Sequence, residues 1–90
     1  MKKLVGEVTR EEKIEIQLLF ERRNGLTELA QILKEDDSLY ERLVKDMGLT
    51  ATRFQNWWDT KAKKYNWESA PNGSWEIDFN TNEIFLNIPE

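Results

Sequence analysis

Carboxylates are the side chains in this sequence that leave acid–base chemistry open. The 90 residues include no cysteine and no histidine, which excludes thiolate nucleophiles, imidazole bases and zinc sites of the Cys/His type. Glu11, Glu12 and Glu15 cluster near the N-terminus, and Asp36 and Asp37 stand side by side later in the chain. Acidic residues are also favoured in the first turn of a helix and as helix caps. We therefore expect both groups to be structural, and we expect no catalytic residue, no metal site, no cofactor and no enzymatic activity.

The length and composition predict one small domain. Four Trp, four Phe and two Tyr supply enough aromatic area for a modest core. No apolar run approaches the roughly 20 residues of a membrane span, and no apolar signal-peptide core follows the basic N-terminus. We expect a cytoplasmic protein without a membrane partner. The predicted divisions are an arm or short strand over residues 1–8, a helical part over residues 9–66 and a β-hairpin over residues 67–90.

The helical part is predicted to be a bundle of three to four helices. Capping boxes that begin at Thr9 and Ser38 mark two helix starts. Asn24-Gly25 and Gly48 predict helix ends, since glycine tolerates the left-handed turn that ends a helix. Residues 35–37 are also predicted to break the helix that precedes them. The longest helix runs from Thr50 to about residue 65, and at least one residue of its Trp57-Trp58 pair is expected in the core.

The C-terminal part has the alternation of a β-hairpin. Apolar and polar side chains alternate over residues 75–79 and again over residues 84–88. An isolated hairpin is marginally stable in water, so it must pack on the helices or pair with a third strand, for which residues 3–7 are a candidate. Phe85 lies on the face opposite Ile84 and Leu86. The fold class expected is therefore α+β, with the helices first and an antiparallel hairpin last.

Charge is distributed unevenly about a net value of −4. Residues 50–66 carry four cations and one anion, whereas residues 67–90 carry five anions and no cation. Two interpretations stay open: the basic helix pairs with the acidic hairpin, or the basic face meets a partner.

Residues 43–58 resemble the last two helices of a homeodomain-like helix-turn-helix, with a Gly-Leu-Thr turn that leads to paired aromatic residues. The resemblance implies a DNA-binding transcription regulator as an alternative function. Thr60 replaces the adenine-reading Asn of that family, and Asp59 puts negative charge near the phosphates, so both residues disfavour DNA as a partner. The candidate DNA-contacting residues are Arg53, Asn56, Thr60, Lys61, Lys63 and Lys64.

Five short segments of the sequence together resemble another family. The segments are residues 20–26, 39–46, 54–59, 64–68 and 75–79. This pattern resembles the CXXX repeat peptide modification system proteins, which are encoded in bacterial clusters that make ribosomally synthesised, modified peptides. The resemblance implies an accessory or recognition role beside a Cys-repeat precursor peptide and a radical-SAM maturase. This chain lacks the cysteines that such a maturase needs for its clusters, so it is not the maturase.

The resemblance implies a precursor peptide or the maturation enzyme as partner. A peptide that adds a strand to the hairpin edge would contact Ile84, Phe85 and Leu86. A protein partner would instead use exposed aromatic anchors, for which Tyr40 and Trp67 are the candidates. The oligomeric state stays open.

Overall fold

The structure is α+β, as predicted, with two helices and one three-stranded antiparallel sheet. The computed structural model describes residues 1–34 and 38–89. Its elements are β1 (Lys2–Glu7), α1 (Arg10–Ile32), α2 (Ser38–Tyr65), β2 (Ser74–Asp78) and β3 (Glu83–Asn87). Neither described helix is long and apolar enough to cross a membrane.

The prediction of three to four helices is wrong for the described residues, because neither internal glycine ends a helix. α1 continues through Asn24 and Gly25, and the Thr27 hydroxyl donates to the Arg23 carbonyl within the helix at 2.9 Å. A glycine inside a helix costs only about 1 kcal/mol, which its apolar and helix-favouring neighbours offset. The predicted interruption at residues 35–37 lies outside the described residues.

α2 likewise continues through Gly48, so the predicted helix-turn-helix does not form. Thr50 was expected to cap a new helix, but it is 2% exposed in the middle of α2. The Thr52 hydroxyl donates to the Gly48 carbonyl at 3.0 Å, as Thr27 does in α1. The sequence has no proline in this region, and a glycine alone does not stop a helix whose flanking residues favour it.

Replacing either helical glycine with alanine should stabilise the protein. Beyond the adjacent residues and the nearby backbone of its own helix, a methyl group at Gly25 or Gly48 would meet no atom within 4 Å, so it adds helix propensity without a clash. We expect Gly25→Ala and Gly48→Ala each to raise the free energy of unfolding by about 0.5–1 kcal/mol. Urea denaturation followed by far-UV circular dichroism measures this. A helix that ended at either glycine would instead lose stability with alanine there.

The sheet has the order β1-β3-β2, with β3 in the centre. The predicted hairpin exists as β2 and β3, and residues 2–7 form the third strand that the sequence left open. Met1 and Ile88 exchange two backbone hydrogen bonds of 2.8 and 2.7 Å, which anchors the start of β1 beside the end of β3. The expectation that β3 is an edge strand is therefore wrong.

The chain divides into two compact units, and the two boundaries between them fall within α1 and within α2. The first unit contains residues 1–15 and 59–90, and its buried apolar residues are Val8, Trp67, Ile84 and Leu86. The second unit contains residues 16–58. Its buried apolar residues are Ile16, Leu43 and Trp57.

Trp57 is 5% exposed and meets Trp58 edge-on with ring centroids 4.9 Å apart. This confirms that one member of the pair belongs to the core. Trp58, its neighbour, is half-buried.

The end of α2 places Trp67 under the sheet. Asn66 has a φ of 53°, the left-handed conformation that asparagine adopts more readily than most residues. The Trp67 N–H then donates to the Ala62 carbonyl at 3.2 Å, which is the closing bond of a Schellman motif. The motif turns the chain back at once, so that Trp67 stacks on Tyr65 with ring centroids 5.7 Å apart.

Candidate binding surface

The two faces of the sheet differ in character. Ile84 and Leu86 of β3 point to the inner face and are 0% and 1% exposed. Their partners Ile77 and Trp75 of β2 share that face, because directly opposed residues in a sheet lie on the same side. Trp67 contacts the Trp75 ring with centroids 6.0 Å apart. The inner face is therefore core, and any binding surface of the sheet lies on the outer face or at an edge.

The outer face consists of three rows that cross all three strands, each read from β1 through β3 to β2. The first row is Lys2, Asn87 and Ser74. The second is Leu4, Phe85 and Glu76. The third is Glu7, Glu83 and Asp78. The face thus combines an apolar centre with a row made only of carboxylates.

Phe85 occupies the middle of the outer face, where a cation already lies against it. The Lys2 ammonium lies 4.7 Å from the centroid of the Phe85 ring. The same ammonium is 2.7 Å from a carboxylate oxygen of Glu76, so it bridges β1 and β2 above β3. The hydrogen bond from Lys2 lowers the pKa of Glu76. Leu4, in the same row, is 53% exposed.

Two hollows open on this side of the sheet. One has a volume of about 300 Å³ and lies near the β2–β3 turn. Its lining residues are Lys2, Glu76, Ile77, Asp78, Phe79, Asn80 and Phe85. The other measures about 280 Å³, and its lining residues are Leu4, Val5, Gly6, Glu7 and Glu83. Each hollow has an aromatic or aliphatic wall together with carboxylates of the outer face.

β2 presents a regular edge with backbone groups that point away from the sheet. The mutual bonds of Met1 and Ile88 show that the even-numbered residues of β3 direct their backbone groups toward β1. Phe85 and Asn87 then direct theirs toward Glu76 and Ser74 of β2, because the direction alternates along a strand. The N–H and C=O groups of Trp75 and Ile77 consequently point outward. In the described part of the chain, β2 pairs with β3 alone.

The opposite edge, β1, is irregular. Its register with β3 shifts between Leu4 and Gly6, which indicates a β-bulge at Val5. Two lysines, Lys2 and Lys3, stand at its start. Bulges and lysines are the features that keep an edge from pairing with another strand. Of the two edges, only β2 has five residues in unbroken register.

Glu12 is the buried carboxylate among the described residues of the first unit, and it has a structural role. Its side chain accepts the Thr9 N–H at 3.0 Å, and its own N–H donates to the Thr9 hydroxyl at 3.1 Å, which confirms the predicted capping box. The same carboxylate accepts hydrogen bonds from Lys64 at 3.0 Å and from the Tyr65 hydroxyl. Lys61 lies 3.5 Å away.

These contacts determine the charge of Glu12. Burial alone would raise its pKa, but the hydrogen bonds from Tyr65, Thr9 and Lys64 outweigh burial and lower the pKa from 4.5 to about 2. The hydrogen bond to Glu12 in turn raises the pKa of Lys64 and that of Tyr65. A carboxylate that stays ionised and fully engaged is unsuited to exchanging protons near neutral pH. Glu12 therefore holds α1 and α2 together within this unit.

The predicted peptide-binding residues do not form an edge. Ile84 and Leu86 are core residues of the central strand, and only Phe85 faces outward. Trp67 is 7% exposed and so is not an exposed anchor, because the Schellman turn buries it beneath the sheet. Tyr40 is half-buried on α2 in the second unit.

The candidate DNA-contacting residues all lie on α2, but two of them are engaged elsewhere. Lys61 and Lys64 both contact Glu12, and the Lys61 side chain is only 15% exposed. The other four residues, Arg53, Asn56, Thr60 and Lys63, are exposed. Because α2 continues through Gly48, residues 50–65 do not form a separate recognition helix.

The charge pairs differ from those that the sequence suggested. Glu68 and Glu76 of the C-terminal part bind Lys3 and Lys2 of β1 at 2.9 and 2.7 Å. Lys61 and Lys64 of α2 contact Glu12 instead. Sequence reasoning missed Lys2, Glu76 and the carboxylate row, because these residues come together only through the register of β1 on β3. The alternation over residues 83–87 is the local signal that assigns Glu83 and Phe85 to one face.

Comparisons of the chain with protein-family models, with curated proteins and with solved structures give no match.

Proposed function

We propose that this protein is a non-enzymatic recognition module that holds an extended peptide along the free edge of β2. One observation carries the proposal: the N–H and C=O groups of Trp75 and Ile77 point outward from a regular edge strand. An added strand would satisfy these four groups with main-chain hydrogen bonds, which is the general basis of strand addition. The exposed outer face beside the edge would then select among side chains of the peptide.

The resemblance to CXXX repeat peptide modification system proteins suggests which peptide this is. In such a system the module would hold the precursor peptide, in an extended form, for the maturation enzyme. The edge of β2 replaces Ile84, Phe85 and Leu86, the residues predicted from the sequence as the contacts of an added strand. The opposite edge is less suitable, because a bulge interrupts it and lysines flank it.

Selection from a phage library of random dodecapeptides, followed by titration of synthetic copies, tests strand addition directly. We expect the bound peptides to slow amide hydrogen exchange at Trp75 and Ile77, whose N–H groups would become hydrogen-bonded. The leader segment of a Cys-repeat precursor encoded beside the gene should compete with them. If neither library nor leader peptides protect these two amides at high micromolar concentration, strand addition at β2 is refuted.

A pair of proline substitutions provides the matched control. Ile77→Pro removes an outward N–H from β2 while leaving the ladder with β3 intact, so binding should weaken at least about tenfold. Leu4→Pro removes an outward N–H from β1 and leaves the edge of β2 unchanged, so binding should weaken far less than in Ile77→Pro. Equal losses in the two variants would contradict the assignment of the edge. If Ile77→Pro fails to fold, the slowing of amide exchange at Trp75 and Ile77 by peptide in the unmodified protein tests the assignment of the edge.

A further inference from the structure

The outer face of the sheet carries more negative charge than its own cations neutralise. Four carboxylates share the face with one ammonium, that of Lys2. Three of these carboxylates, Glu7, Glu83 and Asp78, oppose one another directly across the strands. Like charges in that arrangement destabilise a sheet by their repulsion. A cationic partner would relieve the repulsion.

The position of Lys2 shows how such a partner would bind. Its ammonium lies 4.7 Å above the Phe85 ring and 2.7 Å from Glu76, which combines a cation–π contact with an ion pair. Both contacts are solvent-accessible, since the side chains of Lys2 and Glu76 are 55% and 43% exposed. Exposed pairs of this kind are weak, so another cation can displace Lys2.

The adjoining hollow has room for that cation. Its volume of about 300 Å³ exceeds that of a lysine or arginine side chain, and Phe79, Asp78 and Glu76 line it beside Phe85. A strand added to β2 would direct every second side chain onto the outer face, opposite Glu76 and Asp78. A metal ion is a poorer fit, because no three carboxylates of the described residues are grouped closely enough to hold one.

We infer that the outer face selects peptides with basic residues at alternate positions, one of which displaces Lys2 from Phe85. This inference rests on the proposed function, since the added strand aligns the basic residues. Lys2 acts as an internal competitor, which the basic residue of a matching peptide must displace from Phe85. The occupant is thus an extended segment that carries Lys or Arg two residues apart.

The same peptide selection, with a synthetic binder and its Gln-substituted copy, tests the inference. We expect the selected peptides to be enriched in Lys and Arg at positions two apart, and their Gln copies to bind about tenfold more weakly. Phe85→Leu should reduce this ratio while strand addition persists. Peptides that bind β2 without a preference for basic residues would overturn the inference and leave the proposed function standing. If no peptide protects the β2 edge, both are overturned.

Removal of the internal competitor gives the sharpest control. Lys2→Met should tighten binding of the basic peptide about fivefold. Lys3→Met removes the same charge, but Lys3 pairs with Glu68 rather than with the outer face. Equal tightening in the two variants would mean that net charge alone attracts the peptide, which would refute a site at Phe85.

Discussion

Glu12→Gln should destabilise the first unit by about 2–4 kcal/mol, because it leaves a buried network without its anion. Glu12 is 5% exposed and receives hydrogen bonds from Thr9, Lys64 and Tyr65. Glutamine keeps the shape, but in either orientation its amide N–H₂ would face groups that donate to the carboxylate, either the lysine ammonium groups or the Thr9 N–H and the Tyr65 hydroxyl. Hydrogen exchange at the β3 amides of Ile84 and Leu86 measures the loss within this unit.

Glu11→Gln is the matched control for this effect. Glu11 lies in the same first turn of α1 and is exposed, so the same change of charge should cost under about 0.5 kcal/mol. Similar losses in the two variants would show that the helix dipole, rather than the buried network, stabilises this end of α1.

The same carboxylate predicts how stability depends on pH. The pKa of Glu12 is about 2 in the folded protein, below its ordinary value of 4.5. Its contribution is therefore complete above pH 4.5 and is lost as the pH falls toward 2, by at most about 3 kcal/mol. Urea denaturation between pH 6 and pH 2 should show this decline in the unmodified protein. In Glu12→Gln the free energy of unfolding should fall less between pH 6 and pH 2. An equally steep fall in this variant would show that Glu12 does not cause the decline.

Gly6→Ala should also destabilise the first unit, by about 2–3 kcal/mol. A methyl group at Gly6 would lie 2.7 Å from the indole nitrogen of Trp67 and 2.9 Å from its Cδ1. Trp67 cannot withdraw easily, because it stacks on Tyr65 and meets Trp75 edge-on. The near-UV circular dichroism of the tryptophans and the urea midpoint should both change.

A double substitution separates steric overlap from a backbone effect at Gly6. Trp67→Leu frees the space that the methyl group needs, so Gly6→Ala should cost little in that background. Gly25→Ala tests glycine replacement where no atom is near, and it should have the opposite sign. Additive costs at Gly6 and Trp67 would show that the strand itself requires glycine.

Local patterns predict the parts of this fold that local contacts stabilise. The capping box of Thr9 and Glu12 involves residues three apart, and the alternation over residues 83–87 assigns the faces of β3. The helix ends predicted at Gly25 and Gly48 are wrong. Glycine disfavours a helix interior by only about 1 kcal/mol, and the flanking residues that favour the helix offset this cost. Propensity alone does not decide where a helix ends.

The candidate site depends on contacts between distant parts of the sequence. Lys2 contacts Glu76 and Phe85 only after β1 has paired with β3, and no sequence motif near residue 2 indicates that pairing. The contact of Glu12 with Lys64 likewise joins residues that are 52 positions apart. Such contacts follow from strand register and helix packing, which the alternation of residue types leaves open.

The strand order of the sheet has a consequence for synthesis on the ribosome. β1 is made first of the three strands, but its partner β3 is made last. The nascent chain therefore carries an unpaired β1, with Leu4 and Val5, until residues 83–87 have emerged. The second unit, in contrast, comes from one continuous stretch of the sequence, residues 16–58, and can assemble earlier. The sheet is thus completed only after β3 has emerged from the ribosome.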